Sequence, residues 1–135
     1  DHFIDDWGEK EYEILISCLK HTLATNGFVY AAFWHGMLKG FVSVESGLFG
    51  NTQSYLDLSS IHVSEDLRGK GIGASLFHTA KEWAKSQGAA KLYISAHSAV
   101  ESQAFYKKMG CVDAEFIHQK HAEDEPYDCQ LECTL

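Results

Sequence analysis

The sequence predicts a mixed α/β (α+β) fold, a mostly antiparallel central sheet flanked by helices. Three observations predict it. Helical and strand periodicities follow one another as helix, hairpin, strand, helix, strand, helix, strand. Two strands adjoin across a two-residue His35-Gly36 turn, which makes them antiparallel neighbours. The later strands are separated by helical segments, and crossovers of that kind set helices against the faces of a sheet.

The first segment, 6–25, carries apolar residues at Tyr12, Leu15, Ile16, Leu19 and Leu23, a helical stripe. Asp6 with Glu9 resembles a capping box, and Asn26-Gly27 ends the helix. Phe28–Trp34 and 37–46 read as the two strands of the hairpin, and 47–54 as a polar connection. In the strand Tyr55–Val63, strict alternation puts Asp57, Ser59, Ile61 and Val63 on one face and Leu58, Ser60 and His62 on the other. The loop 64–71 leads into a helix with Leu76, Phe77, Ala80, Trp83 and Ala84 inward, ended by Gly88. Residues 91–95 are a short strand. A second helix over 98–109 opens on a Ser98…Glu101 capping box, buries Val100, Ala104, Phe105 and Met109, and closes at Gly110. The stretch 112–125 is ambiguous, and Cys129–Thr134 is the last strand. There are no repeats and no linker, so residues 1–135 are expected to form a single domain.

Composition narrows the function. Hydrophobic residues make up 45% and charged residues 22%, an ordinary globular balance. A net charge of -8 argues against a nucleic-acid surface, which needs a basic face. No apolar run approaches the roughly 20 residues that span a bilayer, so no membrane partner is expected. No basic-then-apolar leader is visible and the cysteines form no CxxC pair, so the expected location is cytoplasmic and Cys18, Cys111, Cys129 and Cys133 are expected to be reduced thiols. His118 and His121 near Cys129 and Cys133 raise the question of a metal. On one strand those cysteines stand about 13 Å apart, too far for one tetrahedral zinc, and no metal is expected.

The chemistry is concentrated in the run from Ile61 to Ala74. A strand feeds a loop with Gly69, Gly71 and Gly73 at alternate positions, and the loop opens a helix. Glycine lets a backbone approach a ligand closely, and the unpaired N–H groups of a helix's first turn suit a phosphate. Arg68 and Lys70 add positive charge in an acidic chain. The P-loop pattern GxxxxGK[ST] is absent, and the glycine spacing fails the dinucleotide pattern GxGxxG. What remains is an anion site that prefers a diphosphate, or a glycine-rich turn that simply starts a helix.

Arg68-Gly-Lys-Gly-Ile-Gly-Ala74 resembles the RxxGxG/A signature of the GNAT N-acetyltransferases, and Ala104-Phe-Tyr-Lys-Lys-Met-Gly-Cys111 is similar to the family's second motif. The resemblance covers roughly residues 9–134, and the tail 125–132 resembles a bacterial, Firmicute-like subgroup. It implies the GNAT acyl-CoA N-acyltransferase fold, here lacking the family's first strand, and acetyl-CoA as cosubstrate in a V-shaped gap between the strands 55–63 and 91–95. The backbones of Ile61 and Val63 would hold the pantetheine arm. Arg68, Gly69, Lys70, Gly71, Ile72, Gly73 and Ala74 would hold the pyrophosphate. Ser98 and Ala99 stand where many members carry an Asn near the cofactor.

By the same resemblance Tyr106 is the general acid for the leaving thiolate, in contact with the cofactor, or else a packed core tyrosine. Asp57 is a general base or substrate ligand, or else a solvated strand-edge acid. His62 is expected as a core histidine, and His97 lies within reach of the site. The implied reaction moves an acetyl group from acetyl-CoA to an unidentified primary amine. The alternative is a catalytically silent acyl-CoA-binding regulatory module. A homodimer is among the states the resemblance allows.

Overall fold

A computed structural model of the chain describes residues 17, 19–34, 36–50, 53–64, 69–96, 98–124, 126 and 128–135. Most of the expected first helix therefore lies outside the described residues; 19–24 are helical, and Asn26 ends the helix in the left-handed conformation with φ 67°.

Six strands form one sheet: β1 (Phe28–Trp34), β2 (Met37–Val44), β3 (Tyr55–Val63), β4 (Lys91–Ala96), β5 (Val112–Asp113) and β6 (Cys129–Thr134). Their order is β1-β2-β3-β4-β6-β5. Among the described residues only β3 and β4 pair in parallel; β1–β2, β2–β3, β4–β6 and β5–β6 are antiparallel. The parallel pair is joined by the helix α1 (Ile72–Ser86), the crossover such a pair requires. Helix α2 (Val100–Lys108) follows β4, and the ambiguous stretch 112–125 resolves into β5 and a short helix, α3 (Gln119–Asp124).

The two faces of the sheet differ. Val42, Val44, Leu56, Leu58, Ile61, Val63, Leu92, Ile94, Ala96, Leu131 and Cys133 form a buried cluster with Leu76, Phe77, Ala80 and Ala84 of α1 and Tyr106 of α2. The other face carries Phe41, Ser43, Tyr55, Tyr93 and Glu132, all buried, with Phe116, His118 and α3 laid over its β4 side.

A β-bulge on β3 corrects the alternation expected there. Ser43 faces Ser60 across the β2–β3 ladder, but the next pair is Val44 with Leu58. Ser59 is the extra residue, and the pleat slips by one at that point. Leu56 and Leu58 thus share the helix-covered face with Ile61 and Val63. Asp57 is not on the face of Ile61 and Val63; it shares the opposite face with His62, which packs on Phe41 with ring centroids 5.9 Å apart.

Helix α2 departs from its expected stripe as well. Ser102 and Tyr106 are its buried residues, whereas Val100 is 81% exposed, and Phe105 and Met109 are only partly buried. The helix N-caps at Ala99 with no side-chain cap bond, so the expected Ser98…Glu101 capping box does not form. In α1 the expected inward residues Leu76, Phe77, Ala80 and Ala84 are buried, and Trp83 stacks on Phe28 at 5.2 Å.

Candidate active site

Two strands that begin as neighbours part company at the centre of the sheet. The register of β3 with β4 is Tyr55↔Lys91, Leu56↔Leu92 and Asp57↔Tyr93, and there it ends. Beyond that point β3 stays paired with β2 as far as Val63, and β4 stays paired with β6 as far as Ala96. Each strand follows its outer partner, so a wedge opens whose vertex is the pair Asp57–Tyr93.

The backbone of β3 is oriented for use of that wedge. The Ser64 N–H donates to Lys39 O of β2 at 2.7 Å. Peptide groups alternate sides along a strand, so Ser60 and His62 direct theirs toward β2, and Ile61 and Val63 direct theirs toward the wedge.

At the mouth of the wedge stands the N-terminus of α1. Gly71 is its N-cap, left-handed at φ 79°, with no side chain to cap the helix, and Gly69 is also left-handed at φ 81°. The first helical bond runs from Ser75 N–H to Gly71 O. The N–H groups of Ile72, Gly73 and Ala74 accordingly point out of the helix end, a fixed set of donors in a positive potential. Gly73 is helical, and its reason is closeness. A Cβ there would stand 3.1 Å from Phe105 Cε1 and 3.6 Å from Val63 Cγ2. The missing side chain lets α1, α2 and the end of β3 meet around one point. Gly69, Lys70, Gly71 and Ser98 are exposed, while Ile72, Gly73, Ala74 and Ala99 are half-buried. Arg68 and His97 lie outside the described residues.

Tyr106 lies inside the buried stripe of α2 rather than at its edge. It is fully buried, with Phe77 and Phe105 at ring distances of 6.4 and 5.3 Å. Burial holds its phenol well above the ordinary value, with Cys111 and Asp128 adding in the same direction.

Across the sheet, Asp57 meets a partner that the sequence reading did not connect to it. His121 Nε2 of α3 lies 2.9 Å from Asp57 Oδ2. The His121 ring stacks on Tyr93 at 6.1 Å with an interplanar angle of 17°, and lies 4.4 Å from the His118 ring. Tyr93 is fixed in turn: its hydroxyl donates to Gln130 Oε1 at 2.5 Å and accepts the His118 N–H at 2.8 Å. The hydrogen bond to Asp57 raises the His121 pKa from its ordinary value against the opposing effect of burial. Sixty-four residues separate the two partners in the chain. The only hint was the pair His118 and His121, weighed solely against the cysteines. Among the described residues no three His, Cys, Asp or Glu side chains converge to hold a metal, and Cys111, Cys129 and Cys133 are free thiols.

The arrangement is a cleft through a sheet, with phosphate donors at its mouth, a buried phenol on one side and a carboxylate–imidazole pair on the other. Residues 1–111 match the model of the acetyltransferase (GNAT) family. The chain belongs to that family. Solved GNAT-type structures match its fold as well. An IAA acetyltransferase from Bacillus cereus is 27% identical, with TM-score 0.65, over 88% of this chain and 84% of that one. An acetyltransferase from Bacillus subtilis in complex with CoA is 20% identical, with TM-score 0.68, over 99% and 97% of the two chains. A PaiA N-acetyltransferase from Thermoplasma acidophilum in complex with coenzyme A is 17% identical, with TM-score 0.69, over 96% and 80%. The comparison with curated proteins gives no match. In this GNAT chain the glycine-rich mouth and the Phe105-Tyr106 pair come from the two sequence motifs, and the strands of the wedge lie within the matched residues; His121 lies beyond residue 111.

Proposed function

We propose that the protein is an acetyl-CoA-dependent N-acetyltransferase that transfers the acetyl group directly to a primary amine. The observation that carries the reading is the parting of β3 and β4 at Asp57–Tyr93, with the open N-terminus of α1 at its mouth. A chain-like pantetheine arm would lie along β3, hydrogen-bonded to the Ile61 and Val63 peptides as an added strand. Its pyrophosphate would meet the N–H groups of residues 69–74, with Arg68 and Lys70 supplying charge and Ser98 and Ala99 bordering the cofactor.

In the reaction, the amine nitrogen bonds to the thioester carbonyl carbon, giving a tetrahedral oxyanion. Collapse of that intermediate breaks the C–S bond, the nitrogen sheds its surplus proton to solvent, and the thiolate takes a proton from Tyr106, whose phenolate is reprotonated from solvent. A phenol held above its ordinary pKa is fully protonated at neutral pH, as a general acid must be. Asp57 stands on the other face, where it would serve the acceptor amine. Acid and base on opposite sides of the wedge allow donor and acceptor to enter from different directions.

Calorimetric titration with acetyl-CoA, followed by thiol release over a panel of primary amines, tests the reading. Micromolar-range binding and amine-dependent thiol release are expected. Absence of acetyl-CoA binding would overturn it, and binding without turnover on any amine would assign the chain to a silent acyl-CoA-binding module.

A further inference from the structure

We propose that His121, oriented by Asp57, takes the proton from the acceptor amine. The proposal rests on the acetyl-transfer reading above and adds to it the group on which the proton lands.

Both residues at the vertex of the wedge touch His121. Asp57 holds its Nε2 at 2.9 Å, and Tyr93, the opposite member of the last β3–β4 pair, stacks beneath its ring. The imidazole therefore covers the acceptor-side opening of the point where the strands part. Its side chain is 32% exposed and that of Asp57 only 15%, so an incoming amine meets the imidazole before the carboxylate. With Nε2–H donating to Asp57, the ring's lone pair lies on Nδ1, the tautomer a base requires. Among the described residues, the other charged or titratable groups around the ring are His118, Tyr93 and Asp124. In the step proposed, an ammonium N–H proton moves to Nδ1 and the freed lone pair attacks the thioester carbonyl. The imidazolium, stabilised by the Asp57 carboxylate, then releases the proton to water.

A purely structural clasp of α3 to β3 would place the same atoms together, so the test separates proton transfer from tethering. His121→Gln keeps an N–H donor for Asp57 but cannot accept a proton. Two small acceptors are compared at pH 7: ethylamine, which is almost wholly protonated, and hydroxylamine, which is already mostly neutral and needs no base before it attacks. After subtraction of the uncatalysed reaction, the variant is expected to lose about 100-fold in kcat/KM with ethylamine. With hydroxylamine it should stay within about threefold of wild type, because no ammonium has to be deprotonated before attack and the surplus proton of the adduct, far more acidic, passes to water. Equal losses with both amines, or no loss with either, would overturn the proposal. Melting temperature and calorimetric acetyl-CoA affinity of the variant check its integrity; a collapse of either would mean His121 is a structural tether. Wild-type protein that binds acetyl-CoA yet releases no thiol with these two amines or with any amine of the panel would overturn the transfer reading itself, and this proposal with it.

Discussion

Gly73 and Phe105 meet so closely that a Cβ on the glycine would lie 3.1 Å from the ring, which would have to give by a few tenths of an ångström. This contact joins the two motifs, thirty-two positions apart in sequence, at the mouth of the wedge. Val63 closes the third side at 3.6 Å. Gly73→Val should therefore move α1 relative to α2, costing about 1–3 kcal/mol by overpacking. Acetyl-CoA affinity should fall with it, because the displaced helix end carries the phosphate donors. Melting and calorimetry on the same sample check both, and a variant of unchanged stability would show that Phe105 gives way freely.

Gly71 makes a different demand. Among the described residues nothing stands within 4 Å of its added Cβ, so the constraint they show is not space but the left-handed φ of 79°. Gly71→Ala should cost about 1–2 kcal/mol, the left-handed penalty of a Cβ. Gly71→Asp adds a negative charge beside the N–H groups proposed to hold a diphosphate and should weaken acetyl-CoA by about 100-fold or more. Equal affinities of the aspartate and alanine variants would remove the pyrophosphate from this loop.

The elements proposed to hold the donor were legible because their requirements are local. Alternate glycines after a strand and before a helix can be read from one stretch of chain, and the Phe105-Tyr106 pair from another. The acceptor half was not, for two physical reasons. The bulge at Ser59 shifts the β3 pleat, which no period-two pattern in that strand reports, and so Asp57 was placed on the wrong face. The Asp57–His121 pair depends on a tertiary fold-back of α3, a six-residue helix with too short a pattern to declare itself. The inward stripe expected for α2 is displaced by a rotation of the helix: Ser102 and Tyr106, four residues apart, turn inward together, while the more apolar Val100 faces solvent.

Tyr106→Phe tests the acid. The change removes one hydroxyl from a fully buried ring and leaves its packing on Phe77 and Phe105 in place. We expect kcat to fall by about 100-fold or less with acetyl-CoA affinity nearly intact. An unchanged kcat would remove Tyr106 from the mechanism and leave it a core tyrosine.

The Asp57–His121 pair also predicts how stability follows pH. The folded His121 pKa is raised, so its contribution is fully present below the unfolded value and is lost as pH rises through the folded one. Wild type should lose melting temperature over that window, and His121→Gln should lack this part of the slope. The pair is partly exposed, so the expected contribution is about 1 kcal/mol or less. Parallel melting curves for the two proteins across pH 5.5–9, a range set about the ordinary histidine value, would show that the imidazolium does not bind Asp57 in solution.

At the closed end of the wedge, Glu132 does for the sheet what the wedge undoes. It is 4% exposed, and its carboxylate accepts from Tyr55 Oη of β3 at 2.5 Å, from Lys91 Nζ of β4 at 2.7 Å and from the Glu115 N–H at 3.0 Å. Burial alone would raise its pKa; the Lys91, Tyr55 and Glu115 hydrogen bonds outweigh it and hold the carboxyl below the ordinary value. One side chain thus clamps β3, β4 and β6 where β3 and β4 are still paired, so that they part only beyond Asp57. Glu132→Ala leaves the Tyr55 hydroxyl and the Lys91 ammonium without their shared acceptor, and should destabilise the fold by about 2–4 kcal/mol. By the linkage sign, the wild-type contribution is present above the unfolded carboxyl pKa and is lost as pH falls through the folded one. Urea unfolding of wild type and variant at pH 7 and pH 3 checks both statements. The gap between the two proteins should narrow at the acid end, and an equal gap at both pH values would show that the charge on Glu132 contributes nothing to the clamp.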